Sequence, residues 1–246
     1  MPGKSHFSGQ PLVQQLRGWA RELGFSQIGI AEVDLAAAEP GLLAWLQAGF
    51  HGSMGYMAAH GLKRARPAEL VPGTVCVITA RMDYLPRASD EGWIGREQAA
   101  VQDPQRAVVS IYARGRDYHK VMGRKLKELA GWLTTTSGAA SRTFVDTGPV
   151  LERAWAERAG LGWIGKNANL LTRDLGSWIL LGEVLTCAVL EADAGPHEDF
   201  CGTCTACLDA CPTGAITSPG VVDSNACISY WTIAEQLPGE RGKGLH

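Results

Sequence analysis

Cys201, Cys204, Cys207 and Cys211 fall within one eleven-residue stretch, and Pro212 follows the last of them. The pattern C-x2-C-x2-C-x3-C-P is that of iron–sulfur cluster ligands. Thiolate sulfur is soft and polarisable, which suits iron and sulfide. Three thiols at two-residue gaps can wrap one corner of a cubane, while the fourth points away toward another cluster. The competing reading is a zinc knuckle or a pair of disulfides. Zinc sites, however, usually set two C-x2-C arms some distance apart. Cys227 is a fifth thiol downstream, whereas Cys76 and Cys187 sit in apolar runs and read as small core residues.

Three further stretches carry groups that can do chemistry. Residues 112–120 (YARGRDYHK) crowd polar and aromatic side chains at a strand-to-helix junction, where loops present groups to ligands. The same residues also read as a capped helix start with exposed charges. In residues 146–153 (DTGPVLER), Asp146 closes a strand ahead of a helix N-terminus. The helix dipole favours the ionised form there, which makes Asp146 either a cap or a catalytic carboxylate. A catalytic acid at this position needs a partly desolvated site that lifts its pKa. In residues 159–169 (AGLGWIGKNAN), Gly160, Gly162 and Gly165 are spaced G-x-G-x-x-G. The run follows a helix instead of opening one after a strand, so it fails the test of a dinucleotide fingerprint. A glycine-rich wall against a bulky cofactor fits better, with Lys166 available for an anionic group.

These groups need elements to hold them. Leu12, Leu16, Trp19 and Leu23 recur at helical spacing, and Gly24 ends the pattern. A short strand is expected over 27–31, then a helix over 35–47 and a helical or loop segment at 53–57. Residues 75–80 form a nearly unbroken apolar run, as in a strand buried on both faces. Residues 84–106 read as a long loop and 107–113 as a strand. Asp117 is placed to cap a helix whose core face is Met122, Leu126, Leu129 and Leu133. Its Lys120, Arg124, Lys125 and Lys127 read as a solvated face. A strand over 141–146, a helix from Pro149 to Ala159 and a strand or hairpin arm over 177–189 complete the order. This alternation predicts an α/β or α+β layered domain, with a linker at 191–196 leading to the cysteine module.

The chain has 246 residues, 46% hydrophobic and 20% charged, enough for one main domain and a small appendage. A net charge of −2 does not advertise nucleic-acid binding, although a local basic surface remains compatible with it. The odd count of seven cysteines and the clustering of four of them argue against a secreted disulfide framework. No stretch approaches the roughly 20 apolar residues of a membrane span, and residues 1–7 lack the apolar core of a signal peptide. A reduced, cytoplasmic setting is the expectation.

Taken together, residues 112–119, 146–153, 159–169, the cysteine run and Cys227-Ile228-Ser229-Tyr230 resemble the epoxyqueuosine reductase family. These are cobalamin-dependent iron–sulfur enzymes of tRNA queuosine biosynthesis. The resemblance implies a cobalamin-binding α/β domain over 1–192 and a ferredoxin-like domain over 193–246. It implies removal of the epoxide oxygen from epoxyqueuosine at the tRNA wobble position. Asp146 then gives the proton to the departing oxygen, while electrons arrive through the clusters and the corrin cobalt. Tyr118, His119, Gly160, Gly162, Trp163, Ile164, Gly165, Lys166 and Asn169 become cofactor contacts. The partners implied are epoxyqueuosine tRNA and an external flavodoxin- or ferredoxin-type donor, acting on a monomer. The basic helix face around Lys120, Arg124 and Lys127 is a candidate for tRNA phosphates.

By the family pattern, Cys201, Cys204 and Cys207 hold one [4Fe–4S] cluster, and Cys211 and Cys227 begin the other. Two such clusters need eight thiolates, and five are present. The expectation is therefore a C-terminally truncated version of a longer protein, with residues 237–246 as an unstructured end. Two other classes compete. One is an electron-transfer module without chemistry of its own, which leaves the preceding α/β domain unexplained. The other is a different corrinoid reductase, akin to the reductive dehalogenases, acting on a small molecule.

Overall fold

A computed structural model of the chain describes residues 11–85 and 91–233. The readings made of residues 1–7 and 237–246 fall outside that range. The opening apolar repeat folds as helix α1 (Leu12–Glu22), which buries Leu16 and Ala20. Strand β1 (Gln27–Glu32) follows. A 3-10 turn at Ala36–Ala38 leads into α2 (Glu39–Gln47). Two short helices, α3 (Gly55–His60) and α4 (Pro67–Leu70), then carry the chain to β2 (Cys76–Asp83). After α5 (Trp93–Gln102) comes the long α6 (Tyr118–Ser137), then β3 (Ser141–Phe144) and α7 (Glu152–Arg158). A small hairpin, β4 (Trp163–Ile164) with β5 (Leu170–Leu171), precedes β6 (Ile179–Thr186). The cysteine module adds α8 (Ala206–Asp209), β7 (Ile216–Ser218), β8 (Val221–Val222) and α9 (Ile228–Ile233).

The main sheet has the order β1-β2-β6-β3, and every pairing in it is antiparallel. Two layers of helix cover it. On one face, α1 and α6 pack Leu16, Met122, Leu126, Leu129 and Leu133 against Ile30, Ile78 and Val184. On the other, Trp155 of α7 packs against Ala31, Val77 and Leu185. Both faces of β2 are therefore dry, which explains why Cys76 to Arg81 are all buried and why the run reads as continuous apolar sequence. Burying each large aliphatic side chain contributes about 1.5–3 kcal/mol, so α6 anchors the layer. Its ends are fixed locally. The Asp117 side chain accepts the His119 backbone N–H, and Gly138 closes the helix at φ 74°.

The architecture is the layered α+β domain expected, and three local expectations are corrected. Residues 107–113 do not form a strand: no sheet edge receives them, Val109 is 56% exposed, and Ile111–Ala113 is a 3-10 turn. The expected loop over 84–106 contains α5, because its glycines lie at the helix's edge and within its first turn, where they do not stop it. The helix expected from Pro149 begins only at Glu152, because Asp146 takes up φ 49° and the turn after it is irregular. One face assignment also changes. Lys125 does not project into solvent; its ammonium donates to the Leu23 carbonyl at the end of α1.

Candidate active site

Three segments meet at Asp146. Its loop leaves β3, its backbone occupies the left-handed region, and its carboxylate is about half exposed. A non-glycine residue at positive φ is strained unless its surroundings hold it there, and such strain gathers at functional sites. Ala168 (φ 62°) is the other non-glycine residue with this backbone among the described residues, and its carbonyl accepts from Arg153. Both residues line cavities.

The first turn of α6 supplies the partners of Asp146. Tyr118 donates its hydroxyl proton to Asp146 Oδ2 at 2.6 Å, and a His119 ring nitrogen lies 2.9 Å from the same oxygen. The other His119 nitrogen is 3.0 Å from Asp117 Oδ1, and the His119 and Tyr118 rings stack with centroids 4.0 Å apart. Burial works to lower the His119 pKa. The hydrogen bonds and charges of Asp146 and Asp117 outweigh it and hold the imidazole above its ordinary value. Burial, and then Asp146, keep the Tyr118 phenol protonated as a donor. The cluster can thus store a proton between a carboxylate and an imidazole and present it to a leaving group.

Two more carboxylates stand behind Asp146. Glu152, at the start of α7, is half-buried. Burial, followed by the charge of Asp146, pushes its carboxyl up to about 7. Glu183 lies in the middle of β6, fully buried, with neither oxygen hydrogen-bonded. Thr79 is its cross-strand partner and is likewise buried without a partner for its hydroxyl. Burial raises the Glu183 carboxyl well above the usual range, so it remains a neutral acid.

The space around these groups runs toward the cysteine module. A cavity of about 740 Å³ is lined by Asp146, Glu152 and Arg64, and it adjoins one of about 900 Å³. The two share Met57, Leu151, Arg153, Ile164, Ala168 and Gly220. The larger is also lined by Cys211 and Cys227. Of the residues expected to contact a cofactor, Ile164 and Asn169 line this space, and Tyr118 and His119 hold Asp146 beside it. The others serve the chain itself. A Cβ at Gly162 would lie 2.2 Å from the Leu171 carbonyl oxygen, and one at Gly165 would lie 2.5 Å from the Leu171 side chain. Gly160 supplies a turn at φ 72°, and Trp163 is buried against His197 and Phe200. Lys166 donates to the carbonyls of Gly202 (2.8 Å) and Cys204 (2.9 Å), tying down the cysteine loop.

The cysteines suit a cluster better than a lone ion. All are free thiols, and among the described residues no three His, Cys, Asp or Glu groups converge as one ion would require. A cubane presents its irons at separate corners, so its ligands need not converge. Cys211 is already prepared as a ligand. Backbone N–H groups, Ile216 first and then Thr213, draw its thiol down to about 7. The larger cavity also suits a bulky ring bearing amide arms. Trp45, Met54, Met57 and Leu42 are apolar, while Asn167, Asn169 and Arg153 offer hydrogen bonds.

Sequence reasoning passed over Glu152 and Glu183. Glu152 is camouflaged as an ordinary first-turn acid. Glu183 left a signal, because a carboxylate within a buried apolar run is costly and so marks a purpose.

Known proteins match this arrangement. A family model described as epoxyqueuosine reductase QueG, DUF1730, matches residues 64–147, and one described as a 4Fe-4S double cluster binding domain matches residues 200–243. The epoxyqueuosine reductase of Alicycliphilus denitrificans is 56% identical over 228 residues, covering 92% of this chain and 63% of the relative. The epoxyqueuosine reductase of Escherichia coli K12 is 47% identical over 223 residues, covering 90% and 57%. A crystal structure of epoxyqueuosine reductase with an epoxyqueuosine-modified tRNA-Tyr stem loop superposes with a TM-score of 0.79 at 32% identity, covering 95% of this chain and 60% of that one. The Bacillus subtilis epoxyqueuosine reductase, solved with its catalytic aspartate loop swung out of the active site, superposes with a TM-score of 0.72 at 29% identity, covering 93% and 59%. The chain thus spans about three-fifths of the length of the proteins it matches.

Proposed function

The chain belongs to the epoxyqueuosine reductase family, and on that footing we propose that it reduces epoxyqueuosine to queuosine at the wobble position of tRNA. One observation carries the reading. Asp146, with its two proton-holding partners, lines one cavity, and the adjoining cavity is lined by Cys211 and Cys227. Opening the epoxide and expelling its oxygen as water needs electrons from one side and protons from the other. Adjoining cavities lined by Asp146 on one side and by Cys211 and Cys227 on the other support such a pairing.

Residues 1–192 form the catalytic part on this reading and residues 193–246 the electron inlet. Ile164, Asn169 and the apolar wall around Met57 border the cofactor. Bound cobalamin and [4Fe–4S] clusters supply the low-potential electrons, with Cys201, Cys204, Cys207, Cys211 and Cys227 as the cluster ligands of this chain. Asp146 protonates the departing oxygen, Tyr118 fixes the carboxylate, and His119 returns the proton. The basic groups Lys120, Arg124 and Lys127 flank a shallow groove that includes His119, a position suited to tRNA phosphates. The electron source is a flavodoxin- or ferredoxin-type donor in a reducing cytoplasm. Among the described residues no helix is long and apolar enough to cross a membrane.

The test is to add cobalamin to anaerobically purified protein, follow corrin absorbance, and assay epoxyqueuosine tRNA with a low-potential reductant. Corrin binding with conversion to queuosine supports the reading. A reducible cluster in a protein that binds no corrin would favour the electron-transfer module instead.

A further inference from the structure

We propose that Glu152 is a second acid of this site, delivering the proton that completes water after Asp146 has protonated the opening epoxide. The inference rests on the proposed reduction. Its stoichiometry is epoxide plus two electrons and two protons, giving an alkene and water. Both carbon–oxygen bonds break, a carbon–carbon double bond forms, and the electrons come from the low-potential donor. One proton leaves Asp146, and the oxygen then needs another.

Glu152 is placed to give it. It lines both cavities that Asp146 lines, one of about 740 Å³ and one of about 260 Å³. Among the described residues no cation hydrogen-bonds it in the way that Arg66 clamps Glu39 through two bonds at 2.7 and 2.9 Å. Its environment comes from every side. The Asp146 carboxylate and backbone N–H face it from the β3 loop, Arg153 from its own helix, and His119 and Tyr118 from α6, while Glu183 stands behind it on β6. Arg64 shares the larger of those two cavities. Half-buried and facing the Asp146 carboxylate, Glu152 carries a proton into the neutral range, where an isolated glutamate would have lost it.

The experiment combines single-turnover reduction of an epoxyqueuosine stem loop across pH with infrared titration of the protonated carboxyl band. Both are run on the cofactor-loaded protein and on Glu152→Gln, with Glu152→Asp as a conservative partner. Wild type should lose rate above about pH 7 as Glu152 deprotonates. Glu152→Gln should be slower by about 100-fold or more and fall off with one proton fewer, while Glu152→Asp recovers part of the rate. The carboxyl band that titrates near pH 7 should vanish in Glu152→Gln. An active wild type whose rate and pH profile survive Glu152→Gln overturns the role of Glu152 and leaves the reductase reading standing. A cofactor-loaded wild type that converts no substrate overturns both.

Discussion

Asp146 shows how one carboxylate acquires a role from its neighbours. Tyr118 and His119 converge on a single oxygen, so the proton shared there belongs to the cluster as much as to the aspartate. Asp146→Asn should therefore lower the His119 pKa, read by NMR titration of the imidazole, because the largest upward influence on that ring is lost. The stability consequence follows by linkage. The folded state holds the His119 proton more tightly than the unfolded chain does. The ion pair therefore contributes below about pH 6.5 and fades as pH rises through the higher folded value. Both groups are well exposed, so the effect is small. Glu152 runs the same way at lower pH. Its raised folded pKa makes the protein lose stability between about pH 4.5 and 7, and Glu152→Gln should be more stable relative to wild type at pH 8 than at pH 4, as chemical denaturation would show. Asp146 was legible because an acid closing a strand before Thr147-Gly148-Pro149 is conspicuous. The role proposed for Glu152 depends on long-range burial that local sequence does not encode, whereas Glu183 left its signal as a carboxylate within an apolar run.

At the scale of elements, helical periodicity was the dependable signal. α1 and α6 emerged with their core faces and caps as read, since each buries a stripe of side chains that recurs every three or four residues. Residues 107–113 misled because strand-like composition says nothing about whether a sheet edge exists to receive it. The glycine segment was recognised for close backbone approach, and at Gly162 the chain itself makes such an approach, to Leu171. Gly162→Ala should consequently destabilise the β4–β5 hairpin by about 1–3 kcal/mol, lowering the melting temperature by several degrees in a thermal scan. A variant as stable as wild type would show that the hairpin yields freely. Leu129→Ala, beneath the sheet in α6, should cost about 2–5 kcal/mol by the same measurement.

Across the whole molecule, the cysteine module is bound to the catalytic layer by specific polar contacts. Trp45 donates its indole N–H to the Val222 carbonyl at 2.7 Å, and the Tyr230 hydroxyl meets Ser53 at 2.7 Å. Gly52 makes room for that phenol, since a Cβ there would lie 2.7 Å from its oxygen. Lys166 is the link nearest the thiols, and Lys166→Met should lower the iron and sulfide retained after anaerobic purification by freeing the carbonyls of Gly202 and Cys204. Unchanged metal content would show that the loop holds its shape unaided. This long-range docking packs the cysteine module against the α+β layer that carries Asp146, which favours the proposed catalytic reading over that of a ferredoxin alone. The most direct test is mass spectrometry of the nucleoside released after one turnover of epoxyqueuosine stem loop, comparing reduced, cofactor-loaded wild type with Asp146→Asn. Wild type should yield queuosine, lighter by one oxygen. Asp146→Asn, with corrin still bound, should be slower by about 100-fold or more. Equal conversion by the two proteins would contradict the account.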